Sequence, residues 1–546
     1  MPQSAAHTLI DILLDWGVRQ VFTCPGSTEA PFLDASVDRP ELDVWLTTHE
    51  LTAVTMADGY ARFAGGPPGV AYLHTNVGLV NGLGGMYAAQ LGRAPVLVLN
   101  GLKAGVIQSR RGFTAPPDVG ALAAGNAKWS WQVQRTEHLA EDLSRALQVA
   151  TNGPPGPVWL GLPEDLVAAP ASTVAPAPAR SRQVTSGAPA PDQVAAAASA
   201  LAGARKPLLV AGADLVREDA VDLLVRLAER LGAQVVNEDR RSFERSAFPT
   251  GHPCYAGFYA DRLPAVRQAD VVAFLGARCF HEFEAGSIAA PAAGVTLIHS
   301  NADPAEIGKT HGADITLTGD HRLILDQLLT ALPADHQPRP TSPADTTEAT
   351  GPATVTGPDR DGPLSVPEVA TALAATVDRR TRIVADATTS NGAFFAHLPQ
   401  DTPGQLITTS SGALGWGMGA ALGVSIARPD DRVVAVVGDG SFQFGAPALW
   451  VAARRRLPVT YLMINNGSYA AVAAALRRYG RRAVESGTYP GKDIAGPDFA
   501  AISAGYGVPA ERVDSAPALA KALDTAADAA GPRFIEVRTD PDDLGP

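Results

Sequence analysis

The chain is short of cysteine, excess positive charge and long apolar runs, and each shortage closes off a class of protein. Cys24, Cys254 and Cys279 are the entire cysteine complement of 546 residues. An odd number, widely spaced and without a CxxC pair, argues against a disulfide scaffold or a thiolate zinc cluster and fits reduced thiols. Basic residues number 44 against 56 acidic ones, a formal charge of −12. That sign is unsuited to a phosphate backbone, so no nucleic-acid partner is expected, and any anionic ligand must be held by local groups. No apolar run reaches the roughly 18–20 residues of a membrane span. The N-terminal stretch breaks its apolar residues with Asp11 and Asp15 and lacks a basic start. With Leu9, Ile12 and Leu13 on one face it reads as an amphipathic helix, not a signal peptide. A cytoplasmic chain with no membrane partner is the expectation.

What remains is ordinary globular composition, 46% hydrophobic and 18% charged, in a chain too long for one core at roughly 100–200 residues per domain. Segments 166–191 and 332–363, rich in Pro, Ala, Thr and Ser, bury too little to fold alone and read as linkers. They set off domains at 1–170, 190–332 and 364–546, with 333–363 as the second linker. In each, β-branched runs such as GVAYLHT, ADVVAFLGA and DRVVAVVGDG alternate with helical patterns such as LTAVTMADGYARFA. Unalternated apolar strands separated by helices predict an α/β chain of three doubly wound parallel-sheet domains.

The last domain carries the sharpest pattern. VVAVVGDGSF ends one strand, a helix-compatible stretch follows, and PVTYLMINNGSY ends the next. A right-handed crossover puts both loops on one sheet edge. There Asp439 offers a carboxylate, Asn466 an amide oxygen and Ser468 a carbonyl, a set suited to Mg²⁺. Gly438, Gly440 and Gly467 allow a phosphate close to the backbone. GDG alone is a common turn; the pairing gives it meaning.

GDGSF followed at this distance by NNG resembles the signature of thiamine diphosphate enzymes of the pyruvate decarboxylase and acetolactate synthase superfamily, over nearly the whole chain. The resemblance implies a pyrimidine-binding, a central and a diphosphate-binding domain, with Mg²⁺ on Asp439, Asn466 and the Ser468 carbonyl. It gives Ser441, Tyr469 and Thr389 phosphate oxygens to bind. HELTAVTMADGYAR resembles the motif of the activating glutamate, implying that Glu50 bonds N1′ of the aminopyrimidine. SSGALGWGMGAALG either marks close packing or, by resemblance, supplies the Gly412 carbonyl to the 4′-amino group and the Leu414 side chain as a wedge under the cofactor. Gly419 stands where many relatives have proline. Because Glu50 and the diphosphate residues lie in different domains, the resemblance implies active sites between two subunits of a homodimer or homotetramer.

Ser27 in CPGSTEAPFL, His74 in AYLHTNVG and His281 in GARCFHEF match the benzoylformate decarboxylase branch. There such residues bind a 2-oxo acid's carboxylate and relay protons, a task suited to imidazole at neutral pH. The expected activity is decarboxylation of a small 2-oxo acid to an aldehyde, with carboligation as a second outlet; an acetolactate synthase-like carboligase, with or without FAD, is the alternative. Ala471, Ala474 and Ala475 stand near positions where that branch carries bulky pocket residues. Lys492 either points to solvent or, pointing inward, calls for a polar or anionic substrate group.

Overall fold

Strands without polar alternation must be covered on both faces, and helices do the covering here. The computed structural model describes residues 3–172, 179, 184, 187–279, 291–338 and 363–540. Among these, the first sheet comprises β1 (Gln20–Cys24), β2 (Asp43–Leu46), β3 (Gly69–His74), β4 (Val96–Leu102), β5 (Trp129–Gln132) and β6 (Val158–Pro163). The second comprises β7 (Pro207–Ala211), β8 (Gln234–Asn237), β9 (Tyr255–Phe258), β10 (Val271–Leu275), β11 (Thr296–Asn301) and β12 (Ile315–Thr318). The third comprises β13 (Thr381–Asp386), β14 (Leu406–Thr408), β15 (Arg432–Gly438), β16 (Val459–Asn465), β17 (Ala510–Val513) and β18 (Arg533–Arg538).

Neighbouring strands pair in parallel in all three sheets. The expected α/β architecture of three doubly wound parallel sheets is the one observed. The outer sheets share one topology, β2-β1-β3-β4-β6-β5 and β14-β13-β15-β16-β18-β17, while the central sheet runs β12-β11-β10-β7-β8-β9. Strand order therefore reverses beside β1/β3, β7/β10 and β13/β15, and crevices at the carboxyl ends of such strands are where doubly wound sheets bind ligands.

The outer sheets share one hydrophobic core. Helix Glu50–Ala61 contributes Ala53, Val54, Met56 and Ala57, and helix Trp416–Ala427 contributes Met418, Ala420, Leu422 and Val424. The two helices approach to backbone contact. A Cβ on Gly59 would lie 2.1 Å from the Ala420 carbonyl oxygen, and one on Gly423 would lie 2.1 Å from that of Met56. Gly419 faces Thr55 Oγ1, 2.0 Å from where a Cβ would sit, so close packing accounts for this glycine. Buried at the crossing, Asp58 binds Arg62 at 2.8 Å and accepts the Trp416 indole N–H at 2.5 Å.

The central sheet joins the first through ions instead. Arg93 reaches Asp214 at 2.7 Å and Asn301 Oδ1 at 2.9 Å, and Arg217 donates to the Gly92 carbonyl. The N-terminal segment forms its amphipathic helix at Ala5–Asp15 with Leu9, Ile12 and Leu13 buried. One local expectation changes: the helix after β15 begins at Asp439 itself, as Asp439–Gly445, ahead of a second helix Ala448–Arg455. Most of the second linker, residues 339–362, lies outside the described residues.

Candidate active site

At the carboxyl edge of the third sheet, Asp439 opens a helix directly after β15, a position the helix dipole favours for a carboxylate. It is buried, and its Oδ1 accepts the Gly440 amide at 2.8 Å. The amides of Gly467 and Ser468, which donate to Asn465 Oδ1 at 3.1 Å and Asn466 Oδ1 at 3.0 Å, also stabilise the carboxylate, bringing the two motifs together across β15 and β16. Oδ2 has no partner. Burial pushes the carboxyl up to about 6 while the surrounding backbone amides pull the other way. A buried acceptor left unpaired is costly, and a divalent cation would relieve it. Asn466 Oδ1 accepts the Ser468 amide at 3.0 Å, closing a turn in which Gly467 takes φ +62°. The described residues hold no group of three or more His, Cys, Asp or Glu side chains able to hold a metal. A cation on Asp439 would therefore complete its shell from amide and carbonyl oxygens, a ligand and water, as Mg²⁺ does.

Tyr469 lies over Gly440, where a Cβ would meet its ring at 2.6 Å. Its amide donates to the Lys492 carbonyl at 2.7 Å, and the Ile494 amide donates to Gly467, so this later segment lies against the turn. The half-buried Lys492 ammonium sits 5.8 Å from the centre of the Tyr489 ring, whose other cation is Arg477 at 5.5 Å. In helix Ala470–Tyr479, Ala474 is half-buried while Ala471 and Ala475 are exposed.

Thr389 sits in a one-turn helix after β13, next to Thr388 at φ +45°. Gly412 is exposed with φ +68°, and Leu414 is half-buried just before helix Trp416–Ala427. Gly438 is the last residue of β15. The Ser441 hydroxyl donates to Asp386 Oδ1 at 3.1 Å, and Asp386 Oδ2 accepts the Gly417 amide at 3.0 Å. Burial pushes Asp386 up to about 7.

On the first sheet, Ser27 follows β1 and His74 ends β3, flanking the strand-order reversal. A Cβ on Gly26 would lie 2.5 Å from the His74 ring, so only glycine fits there. His74 Nδ1 is 2.9 Å from both Glu29 Oε2 and Thr28 Oγ1. Glu29 is fully buried and also accepts the Gly26 amide at 2.7 Å. A carboxylate on Nδ1 fixes the proton there and leaves Nε2 to accept or pass a proton. Thr75, the next residue, holds φ +49°, a strained state for a β-branched side chain, and Asn100 pins it by donating to the Thr75 carbonyl at 2.9 Å. Lys103, after β4, donates to Ser27 Oγ at 3.0 Å.

Glu50 is the first residue of its helix, capped by His49, whose Nδ1 accepts the Leu51 amide. Its Oε2 accepts from Asn81 Nδ2 at 3.0 Å, and its Oε1 lies 3.3 Å from where a Cβ on Gly78 would stand. Burial and the neighbouring carboxylates of Glu50 and Glu29 push the Cys24 thiol up to about 11, so it stays protonated. His281 lies outside the described residues. Sequence reasoning missed Glu29, Asn81, Lys103 and Asp386. Glu29 and Asp386 carried a signal, as acids within or ending apolar strand-to-helix junctions, CPGSTEA and RIVADA; Asn81 and Lys103 carried none that sets them apart from surface residues.

Three family matches follow this geometry along the chain. Residues 3–122 match the thiamine pyrophosphate enzyme N-terminal TPP binding domain, 194–328 its central domain and 386–537 its C-terminal TPP binding domain. The chain belongs to the thiamine pyrophosphate enzyme family. It is 33% identical to a benzoylformate decarboxylase of Pseudomonas aeruginosa, with 97% of each chain covered. It is 28% identical to a probable acetolactate synthase large subunit of Methanocaldococcus jannaschii, covering 98% of this chain and 92% of that one. Among solved structures it resembles the thiamine diphosphate-dependent 4-hydroxybenzoylformate decarboxylase of Rhodococcus jostii, with a TM-score of 0.87 at 27% identity, covering 98% and 99% of the two chains. The benzoylformate decarboxylase of Polynucleobacter necessarius gives 0.87 at 25% identity, covering 99% of each. This thiamine pyrophosphate enzyme thus has relatives in both the decarboxylase and the synthase branches. None of its described helices is long and apolar enough to cross a membrane.

Proposed function

We propose that this enzyme decarboxylates a 2-oxo acid to an aldehyde, using thiamine diphosphate and Mg²⁺, with carboligation as a second outlet. The observation that carries the reading is the His74 imidazole, oriented by buried Glu29 and set beside Ser27 at a strand-order reversal. When bound, thiamine diphosphate supplies a nucleophilic thiazolium carbon and a sink for the electron pair left by CO₂.

Asp439, Asn466 and the Ser468 carbonyl would hold Mg²⁺ against the diphosphate, whose oxygens Thr389, Ser441 and Tyr469 would bind. Gly438 and Gly440 leave the backbone open to it. Glu50 would hold the proton at N1′ of the aminopyrimidine, the Gly412 carbonyl would accept from its amino group, and Leu414 would support the ring. Ser27 would orient the substrate carboxylate, and His74 Nε2 would move the proton that replaces CO₂, with His281 as a second relay. Since Glu50 and Asp439 belong to different sheets, a homodimer or homotetramer with sites between subunits, in the cytoplasm, completes the proposal.

The acetolactate synthase relatives support a second reading, a carboligase with or without FAD. Assay of CO₂ and aldehyde release from about twenty 2-oxo acids tests the main reading. Aldehyde formation is expected, from a colourless protein. Condensation products without aldehyde, or a flavin band, would replace it with the second.

A further inference from the structure

Among the described residues, Lys103 is the one lysine or arginine bonded to a predicted substrate residue. It follows β4 at the edge that carries Ser27 and His74, is half-buried, and its ammonium donates to Ser27 Oγ at 3.0 Å. No carboxylate of a described residue forms an ion pair with it. The acids nearby in the chain or in space are engaged elsewhere: Glu29 by Thr28, His74 and the Gly26 amide, and Glu164 and Asp165 by the amides of Ala104 and Gly105. An ammonium has three N–H donors, and a hydroxyl uses one. Residues 103–117 carry Lys103, Arg110 and Arg111 and no acid, against the sign of the whole chain.

A cation with donors to spare at the open rim of a substrate site suits an anion. Ser27, not the ammonium, would hold the leaving carboxylate. That group loses its charge on the way to CO₂, so a cation fixed on it would stabilise the ground state more than the transition state and slow the step. An anionic group that keeps its charge throughout gains from the same cation without that penalty.

Resting on the decarboxylase reading above, we propose that Lys103 is a specificity-determining residue which binds a second anionic group of the substrate, so that the preferred class is 2-oxo acids with a distal carboxylate. Three matched pairs test this: 2-oxoglutarate against 2-oxopentanoate, 2-oxoadipate against 2-oxohexanoate, and 4-carboxybenzoylformate against benzoylformate. The expected result, with cofactor-loaded enzyme, is that in at least one pair kcat/KM favours the anionic member at least tenfold, through KM. Lys103→Met should collapse that ratio at least tenfold, and Lys103→Arg should keep most of it. If Lys103 only steadies Ser27, both members of each pair fall together and the ratio stays, which overturns the proposal. Preference for the uncharged member of every pair in the unsubstituted enzyme also overturns it, without a variant and with the decarboxylase reading intact. Absence of turnover on all six compounds overturns the proposal, and absence across the wider panel of 2-oxo acids removes the decarboxylase reading as well.

Discussion

Replacing Asp439 with Asn should separate the stability of the cofactor-free protein from its ability to hold the cofactor. The carboxyl is buried, one oxygen has no partner, and its folded pKa is about 6 against an ordinary 3.8. The folded state holds the proton more tightly than the unfolded chain does. The stability this confers is therefore fully present below about pH 4 and is lost as pH rises to 6. A gap of that size is worth about 3 kcal/mol, or about 6–12 °C of melting temperature for a unit of this size. Asn removes the ionisation but turns an amide N–H₂ toward backbone donors, so roughly half of that gain is expected. Melting of cofactor-free protein should show Asp439→Asn about 3–6 °C above the unsubstituted protein at pH 8 and about as far below it near pH 4, where the cost of the amide remains and the ionisation gain is gone. Adding thiamine diphosphate with Mg²⁺ should raise the melting temperature of the unsubstituted protein and leave the variant where it was. A variant that melts lower at pH 8, or that keeps the cofactor-induced rise, would refute the assignment of a cation to this carboxylate.

Glu50→Gln should slow hydrogen–deuterium exchange at the cofactor's C2 by about 100-fold or more, read by proton NMR after quenching, while calorimetry still detects cofactor binding; normal exchange removes Glu50 from its role. Burial pushes Glu238 up to about 8, so its stabilising share is complete below about pH 4.5 and gone above 8. Glu238→Gln should accordingly melt several degrees higher at pH 8.5 and show no gain at pH 4.5. Gly423→Val should destabilise by about 3 kcal/mol or more, because the added carbons meet the Met56 carbonyl and the Tyr60 amide. Gly203→Ala, with no atom within 4 Å of the new carbon, should leave the melting temperature unchanged or slightly raised.

The strands legible in the sequence are central ones: β1, β3 and β4, β7, β10 and β11, β13, β15 and β16. Each is flanked on both edges and covered on both faces, so its apolar run is uninterrupted. The edge strands carry no such run. β5 reads WSWQ and β17 reads AERV, because one edge faces solvent and polar side chains are tolerated. Asp439, Asn466, Ser27 and His74 stood out as candidates because each ends or closely follows a strong strand at a glycine-rich or turn-forming junction. Glu29 reveals its part only through the His74 ring it contacts, and Lys103 only through Ser27, 76 residues away in the chain. Contacts between loops of different strands leave no periodic trace.

The glycine-to-backbone seam between helices Glu50–Ala61 and Trp416–Ala427 has a mechanical corollary. Peptide groups seated directly on one another have no flexible side chains in between to absorb sliding, so the outer sheets cannot open like a book to admit a reactant. Entry and exit fall instead to the peripheral loops, and turnover should respond to viscosity and loop substitutions rather than to changes that loosen the seam.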